Sequence, residues 1–388
     1  MANNLQGEYR ACDPEPMDLH SHPPPGYANL NMTTLRSLLT PDKPDAPAPH
    51  LDRVTPIAAM PGGEIDVHGQ HLDSHGAHNP RATIGDIAAP ITLSRPTRAS
   101  IHIPEGTITG NLILHRSATE SNPLHLRVAV PMAENLHPVA NPAVDANGNV
   151  YATVSGERGQ AVPVSIFQIQ RDFQIRPFVR DLLNATGLAF DPDGYLYASS
   201  RAEGTVYRIS PAGAISTYAE GMGIATGIAF DRDGNLFVGD RSGTIFKISR
   251  ASSGSAAGEI FVYATLEPSI AAYHLAFNDA GTLFVTGPTT SSNQAIHAID
   301  RDGNTTVFYQ GLGRAQGMAF DVDDNLYVAA SLRGQRGIIR ITSRHEATLT
   351  VSGNNLVGLA FLEDGNATLA THDALYHVAL DIQGRRLI

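Results

Sequence analysis

Short runs of alternating apolar and polar residues, each followed by a turn signal, recur through the C-terminal part of the chain. Four of them share one pattern: "TGLAFDPDGYLYAS" (186–199), "TGIAFDRDGNLFVG" (226–239), "YHLAFNDAGTLFVT" (273–286) and "QGMAFDVDDNLYVA" (316–329). Two looser copies are "VGLAFLEDGNATLA" (357–370) and "NPAVDANGNVYATV" (141–154). Period-two alternation predicts β-strands, and the pattern shows no helical periodicity of useful length.

The spacing of the copies predicts their architecture. Their marker residues lie 40 to 47 residues apart and are Val144, Phe190, Phe230, Phe277, Phe320 and Phe361. This period is typical of propeller blades. Each copy holds four strand-like runs, so we predict one four-stranded antiparallel blade per copy. Residues 137–388 are therefore expected to form a six-bladed β-propeller.

The motif Asp-x-Asp-Gly-Asn, which begins at Asp231, could be a calcium loop or a turn. A helix–loop–helix calcium loop places glycine at position 6 and glutamate at position 12. Here Gly234 stands at position 4 and Ser242 at position 12. Glycine accepts a positive φ and aspartate bonds to its own backbone, so we predict a hairpin turn between the first two strands of each blade.

Residues 49–130 contain short alternating strands with turn signals every eight to twelve residues, which predicts a small β-sandwich. The whole fold is expected to be all-β. Residues 1–48 are rich in proline and polar residues, and we expect a largely extended arm with a short helix at 32–39. The last residues, "RRLI" (385–388), can supply the fourth strand of the final blade. We therefore expect that no strand from before His137 closes the ring.

Composition limits the partners. The net charge of −11 argues against nucleic acid, because phosphate binding needs a basic surface. One cysteine, Cys12, excludes an internal disulfide and a multi-cysteine metal site. No apolar run is long enough to span a membrane. The N-terminus lacks the basic and apolar regions of a signal peptide, which predicts a cytoplasmic protein, or an exported one if a leader has been removed.

Two family resemblances follow from these motifs. Residues 49–130 resemble the IPT/TIG immunoglobulin-like domain through "TPIAAMPGGEIDVHGQHL", "ATIGD", "IHIPEGTITGNLIL" and "SNPLHLRV". Residues 137–388 are similar to six-bladed propellers of the NHL and SMP-30/gluconolactonase group through the repeated "G-[LIM]-A-F-D-x-D-G-[NY]-L-[YF]-V". The motifs encode blade cores and turns, so they are specific for fold and weak for function.

The resemblance implies a central channel and a binding face where the innermost strands begin. In the lactonase branch it also implies a divalent metal, such as calcium, held by carboxylate and amide groups on the axis. The matching positions here are Asn141, Thr186, Thr226, His274, Gln316 and Val357. None is a carboxylate, whereas calcium normally draws on carboxylates for charge compensation.

The loops after the second strands are expected to share this face. They add Arg201, Asp240, Arg241 and Arg333, while Tyr273 precedes the fourth inner strand and Arg314 precedes the fifth. Guanidinium groups bind carboxylate or phosphate through paired hydrogen bonds, so converging arginines would suit an anionic ligand. In the alternative, each arginine pairs with a nearby acid, such as Arg241 with Asp240, and only forms part of the solvated rim of the propeller face.

Histidines supply the other candidate chemistry. His274 is the titratable residue of the inner ring and the best candidate for a general base, with His372 as a weaker second. Either could instead only bond a channel water. Four histidines of the sandwich region are His68, His71, His75 and His78. They could form a specific site for a transition metal, or they could bind such metals only adventitiously.

Two functions from different classes therefore stay open. In the first, the protein is a binding or scaffold propeller for a protein, a glycan or a small anionic ligand. In the second, it is a metal-assisted hydrolase or lyase acting on a lactone or small anionic substrate, with His274 as base. The missing carboxylates favour the binding function, and the polar ring with its histidine leaves the enzymatic function open.

Overall fold

The computed structural model describes residues 47–74, 79–116, 118–157, 159–250, 257–290 and 294–385. Most of the predicted N-terminal arm with its helix, His75, His78 and the last three residues lie outside these ranges. Within them every regular element is a β-strand except a 3-10 turn at Glu363–Gly365. The described part of the chain holds no helix that is long and apolar enough to cross a membrane.

The first ten strands lie in the region predicted as a sandwich: β1 (His50–Thr55), β2 (Ala58–Ala59), β3 (Glu64–Gln70), β4 (Arg81–Ile84), β5 (Ile87–Ala89), β6 (Ile91–Arg95), β7 (Arg98–His102), β8 (Gly110–Arg116), β9 (Thr119–Glu120) and β10 (Leu124–Val128). One sheet has the order β1-β3-β7-β6, and β10-β8-β4-β5 run side by side in another. Both contribute to one buried core that includes Ile65, Ile101 and Leu112. The relationship of this region to the IPT/TIG family stays a prediction.

The other strands build six antiparallel sheets, as the repeats predict. Blade 1 has β12 (Ala143–Val144), β13 (Val150–Thr153), β14 (Ile166–Ile169) and β15 (Ile175–Val179); blade 2 has β16 (Ala185–Phe190), β17 (Leu196–Ser200), β18 (Thr205–Ile209) and β19 (Ile215–Ala219); blade 3 has β20 (Ala225–Phe230), β21 (Leu236–Asp240), β22 (Thr244–Arg250) and β23 (Ala257–Thr265). Blade 4 has β24 (His274–Phe277), β25 (Leu283–Thr286), β26 (Gln294–Ile299) and β27 (Thr305–Leu312); blade 5 has β28 (Met318–Phe320), β29 (Leu326–Leu332), β30 (Gln335–Ile341) and β31 (Ala347–Ser352); blade 6 has β32 (Leu356–Phe361), β33 (Asn366–Thr371), β34 (Ala374–Ala379) and β11 (Val130–Glu134).

Ring closure differs from the sequence prediction. The outer strand of blade 6 is β11, which pairs antiparallel with β34 and precedes His137. The expectation that no N-terminal strand closes the ring is therefore wrong. The chain after β34 instead runs to blade 5, where Gly384 pairs with Asp321 and the Arg385 N–H donates to the Phe320 carbonyl at 2.9 Å. Closure by strands from both ends of the repeat region couples the last blade to the first part of the chain.

The marker phenylalanines hold neighbouring blades together. Phe190 of blade 2 makes an edge-to-face contact with Tyr151 of blade 1, at 5.1 Å between ring centroids. Equivalent contacts join Phe230 to Tyr197, Phe277 to Phe237, Phe320 to Phe284 and Phe361 to Tyr327. Such pairs add to the burial of apolar surface between sheets. The repeated Phe therefore packs against the core between blades, buried at Phe320 and partly buried in the other copies.

The Asp-Gly motif forms the predicted hairpin turn. Asp231 Oδ1 accepts hydrogen bonds from the backbone N–H groups of Asp233 and Asn235, at 3.0 and 2.8 Å. Gly234 has a φ of +78°, which glycine adopts without steric cost. The same arrangement recurs at Asp145, Asp300 and Asp321. The carboxylates of these turns thus organise the backbone of their own hairpins.

The sandwich sheet continues into the propeller. The short strand β2 lies between β31 of blade 5 and β10, and it is parallel to both. The Met60 N–H also donates to the Ser352 carbonyl at 2.8 Å. The outer edge of blade 5 is therefore covered by the chain itself over residues 351–352.

Candidate functional site

The inner strands β12, β16, β20, β24, β28 and β32 begin at one face of the propeller, where the predicted ring lies. Their register shows that two of the predicted ring residues hold a different repeat position from the others. Leu275 pairs with Val285 as Ile228 pairs with Val238, so His274 corresponds to Gly227. By the same argument Asn141 corresponds to Gly187. Thr186, Thr226, Gln316 and Val357 lie one residue earlier, at the position of Tyr273.

In four of the six blades this position requires glycine, because a neighbouring inner strand or the Asn141 side chain lies against it. A Cβ on Gly187 would lie 2.4 Å from the Thr226 carbonyl oxygen, and one on Gly227 would lie 2.2 Å from the Tyr273 carbonyl oxygen. Both distances are shorter than atoms can approach, so a side chain there would displace the neighbouring backbone. Four blades carry glycine at this level: Gly187, Gly227, Gly317 and Gly358. Blades 1 and 4, which are opposite in the ring, carry Asn141 and His274.

The Asn141 side chain is engaged by other blades. Its Nδ2 donates to the Met318 carbonyl of blade 5 at 2.6 Å, and its Oδ1 accepts the Leu359 N–H of blade 6 at 3.2 Å. Both the donor and the acceptor of the amide are thereby used. Asn141, predicted as a ligand-binding residue, joins three blades at the axis.

His274 lies on the opposite side of the ring and is 4 % exposed. Burial lowers the pKa of its imidazole from 6.5 to about 4, because desolvation disfavours the charged form. No acid is in a position to oppose this effect, and the described residues make no hydrogen bond to the ring. At neutral pH the side chain is thus a neutral imidazole, with one nitrogen that can donate and one that can accept.

The other residues of the ring bond to backbone and are buried. Thr186 Oγ1 donates to the Asn184 carbonyl at 3.0 Å, and Thr226 Oγ1 donates to the Gly239 carbonyl at 2.8 Å. Gln316 Nε2 donates to the Leu356 carbonyl at 3.2 Å. The Gln316 contact joins blade 5 to blade 6, the Thr226 contact joins the first two strands of blade 3, and the Thr186 contact stays within its own segment. The polar side chains thus satisfy backbone carbonyls around the ring.

Tyr273 and Asp240 lie together beside blade 3. The Tyr273 hydroxyl donates to the Glu267 carbonyl, and burial, followed by the charges of Asp240 and Glu267, raises the pKa of the phenol to about 12. Asp240 accepts the Ile224 N–H at 2.7 Å and the Ser242 hydroxyl. The Asp240 carboxylate therefore holds its own loop.

The predicted arginines divide into two kinds. Arg201 Nη2 donates to the Gly156 carbonyl of blade 1, and Arg241 Nη2 donates to the Ile270 carbonyl before blade 4, both at 2.8 Å. Each thus links the loop of its own blade to a neighbouring loop. Arg333 is exposed at the hairpin after β29, with a φ of +52°, and Arg314 is exposed just before the fifth inner strand. Neither Arg333 nor Arg314 has an ion pair within the described ranges.

His372 is exposed in the loop between β33 and β34 on blade 6, while His274 belongs to blade 4. The backbone carbonyl of His372 contacts His137 Nδ1 at 3.1 Å, and its neighbour Asp373 accepts the Thr371 hydroxyl at 2.7 Å. No contact joins the two candidate bases.

The described histidines of the sandwich region contact other residues of that region. His68 Nε2 lies 3.3 Å from Thr55 Oγ1, and the carbonyl of His71 accepts a hydrogen bond from Arg116 at 3.0 Å. Among the described residues no group of three or more His, Cys, Asp or Glu side chains could hold a metal ion. His75 and His78 lie outside that part of the chain.

The ring does not fit the calcium that the lactonase resemblance implies. Calcium takes six to eight oxygen ligands, with carboxylates to compensate its charge. The ring positions hold no carboxylate, and their neutral oxygens are the hydroxyls of Thr186 and Thr226 and the amides of Gln316 and Asn141. The Asn141 Oδ1 already accepts the Leu359 N–H. His274 offers nitrogen, which calcium does not favour. No step of a reaction is therefore assigned to a metal here.

One organising residue, Asn184, was not predicted. It is completely buried with a φ of +47°, its Nδ2 donates to the carbonyls of Gly156 and Glu157, and its Oδ1 accepts the Gly159 N–H at 2.7 Å. It shapes the blade 1 loop that Arg201 also contacts. The signal in the sequence is weak: asparagine tolerates this backbone region, and blade 3 has Ile224 at the same place.

Comparisons with known proteins agree with the fold. No family profile and no curated protein matches the chain. Among solved structures, a protein of unknown function from Bacteroides thetaiotaomicron is 12 % identical with a TM-score of 0.52, covering 87 % of this chain and 98 % of its own. A gluconolactonase from Xanthomonas campestris is 14 % identical with a TM-score of 0.51, covering 81 % and 98 %.

A third structure, provisionally assigned as a gluconolactonase, is 16 % identical with a TM-score of 0.53, covering 66 % of this chain and 93 % of its own. At these identities the similarity concerns architecture. The chain is an all-β protein with a β-propeller similar in fold to gluconolactonases. Chemistry has to be argued from its own residues.

Proposed function

We propose that this protein is a ligand-binding β-propeller whose site is the face where the inner strands begin, around His274. The observation that carries the proposal is the state of that side chain: a buried, neutral imidazole at a position where four blades have glycine. Among the described residues none bonds to this ring, so both of its nitrogens are available to a ligand.

The ligand class follows from the groups near the site. A neutral imidazole donates to and accepts from a hydroxyl, and donates to a carboxylate. Arg314 and Arg333 are exposed on the same face, and positive side chains there favour an anion. We propose a small hydroxylated or carboxylated molecule, such as a sugar acid. A glycan or a protein that presents such a group is the wider class.

Binding is preferred over the alternative, a metal-assisted hydrolase or lyase acting on a lactone. A general base works best with a pKa near the pH of reaction, and a pKa of about 4 makes His274 a weak base at neutral pH. No carboxylate orients its ring, and the donors around it do not suit calcium. The similarity to gluconolactonases concerns the fold alone and gives no argument for lactonase activity in this chain.

Calorimetric titration with gluconate and with glucono-lactone tests the proposal. We expect saturable binding of the acid, weakened about tenfold or more in His274→Gly, which introduces the residue that four other blades carry. The exposed His372→Ala is the control and should bind like the wild type. Binding that is unchanged in His274→Gly, or no binding of either compound, would overturn the proposal. Calcium-dependent lactone turnover that His274→Gly abolishes would establish the enzymatic alternative.

A further inference from the structure

A second candidate site lies at the junction of the sandwich region and the propeller, away from the axial face. A cleft of about 620 Å³, called here the junction cleft, is bordered by residues 55–57, by β31 at 348–350, by the turn at 321–323 and by the C-terminal segment 381–383. Sites for small molecules usually have volumes of this order. The cleft opens where β2 leaves the edge of β31, since the two strands pair only at 351–352.

Arg340 lines this cleft and lacks the partners that its equivalents have. It pairs with Tyr327 across β29 and β30, as Arg208 pairs with Tyr197 in blade 2. Arg208 Nε donates to the Tyr197 hydroxyl at 3.0 Å, and its guanidinium lies 3.3 Å from the centroid of the Tyr195 ring. In blade 1 the same position is Gln168, whose amide also donates to the facing tyrosine, at 2.6 Å.

In blade 5 these contacts to the arginine are missing. The Tyr327 hydroxyl donates to Asp321 Oδ2 at 3.1 Å, as Tyr151 does to Asp145 in blade 1, but among the described residues it accepts nothing from Arg340. Asn325 replaces the tyrosine on which Arg208 stacks. Arg340 has no hydrogen bond or ion pair within the described residues, and its Nε is buried without a partner. A buried guanidinium N–H without an acceptor is unfavourable, and an anion that reached it from the cleft would remove the penalty.

The rest of the lining indicates the kind of anion. Apolar side chains are exposed at the cleft, with Ile57 45 % and Val322 55 % accessible. The lining has three acids: Asp381 forms an ion pair with Arg127, Asp321 accepts hydrogen bonds from its own turn and from Tyr327, and Asp323 is exposed. With these carboxylates beside a single arginine, a doubly charged anion is disfavoured.

We propose that the junction cleft binds a small monoanion with an apolar body, whose anionic group bonds to Arg340 while its apolar part covers Ile57 and Val322. This site is separate from the axial face and does not depend on the function proposed for His274.

The probe for this test is 1-anilinonaphthalene-8-sulfonate, an aromatic monoanion, titrated by fluorescence against the full chain. We expect saturable binding, about tenfold or more weaker in Arg340→Met and intermediate in Arg340→Lys. Arg208→Met is the matched control, because that arginine has the same repeat position but keeps its own partners; its affinity should stay within about twofold of the wild type.

A second probe, N-phenyl-1-naphthylamine, has the same ring system without the sulfonate and should bind equally to the wild type and Arg340→Met. Near-ultraviolet circular dichroism shows that each variant keeps its packing, since this anionic dye also binds loosened proteins. Three results would overturn the proposal: no saturable binding of the sulfonate, equal affinity in Arg340→Met, or an equal loss in Arg208→Met.

Discussion

The side-chain amide of Asn141, in the first blade, donates a hydrogen bond over 2.6 Å to the carbonyl of Met318 in the fifth. Its oxygen accepts the Leu359 N–H of the sixth blade at 3.2 Å. The ring is thus closed twice: at its outer edge by the pairing of β11 with β34, and at its axis by one asparagine. At the axis the bonds of Asn141 run between side chain and backbone, and one backbone bond, from the Gly317 N–H to the Val357 carbonyl at 3.0 Å, joins blades 5 and 6.

Replacing Asn141 with alanine should lower the free energy of unfolding by about 1–3 kcal/mol, because the Met318 carbonyl and the Leu359 N–H lose a partner. Urea unfolding followed by circular dichroism measures the change. Asn147→Ala is the control: this asparagine is exposed in the turn of the same blade, and its loss should cost less than about 0.5 kcal/mol. Equal effects of both substitutions would argue against closure through Asn141.

Gly317→Ala should be strongly destabilising, by about 3 kcal/mol or more. The new Cβ would lie 2.0 Å from Asn141 Oδ1 and 2.5 Å from Gly358 Cα, so that a backbone atom as well as a side chain would have to move. Gly110→Ala is the matched control, since the nearest atom to its Cβ would be 3.6 Å away. Thermal unfolding compares the two. A Gly317→Ala protein as stable as Gly110→Ala would mean that the inner strands are farther apart than described.

Met132→Ala tests the outer closure of the ring. Met132 belongs to β11 and is 6 % exposed in a core that it shares with Leu375 of β34, so its truncation should cost about 2–4 kcal/mol. Hydrogen exchange should quicken in β33 and β34 before it does in blade 3. The exposed Glu134→Ala, in the same strand, should change neither quantity appreciably. Unaltered exchange in blade 6 of Met132→Ala would contradict the role of β11.

The pH dependence of stability should carry a contribution from His274. Its pKa is about 4 in the folded protein and about 6.5 when unfolded, so the unfolded chain binds the proton more readily between these values. The contribution is fully present above pH 6.5 and is lost as the pH falls toward 4, with a total of about 3 kcal/mol.

His274→Gln should flatten this part of the profile, which urea unfolding at several values of pH between 4 and 7.5 would record. The pKa values of His297 and His377 are lowered in the same direction by burial, so the difference between variant and wild type is the quantity to compare. A variant profile parallel to that of the wild type would mean that His274 is protonated, or open to water, in the folded protein.

Much of the fold can be predicted from local patterns. The alternation within "NLFVGD" and the aspartate–glycine turns predict strands and hairpins, because both depend on neighbouring residues only. Closure was mispredicted because "RRLI" and the β11 segment "VPMAE" are both short strand-like runs. Only packing against β34 distinguishes them, and that packing buries Met132 and Ala133.

The candidate site was predicted in part. His274 and Asn141 were both singled out as polar residues among apolar inner strands, yet one is a neutral buried imidazole and the other a bridge between blades. Neither Arg340 nor Asn184 was predicted as a site residue, because an arginine in an alternating strand and an asparagine in a loop are ordinary. Their significance depends on which partners the folded chain supplies.

The sequence by itself determined the repeat, the number of blades and the turns between their first strands, since period-two alternation and glycine positions act within a few residues. The tertiary structure alone decided which strand closes the ring, which polar groups at the axis are bonded, and where a guanidinium is left without an acceptor. Those outcomes depend on distances between residues far apart in the chain, and on the water that packing removes from them.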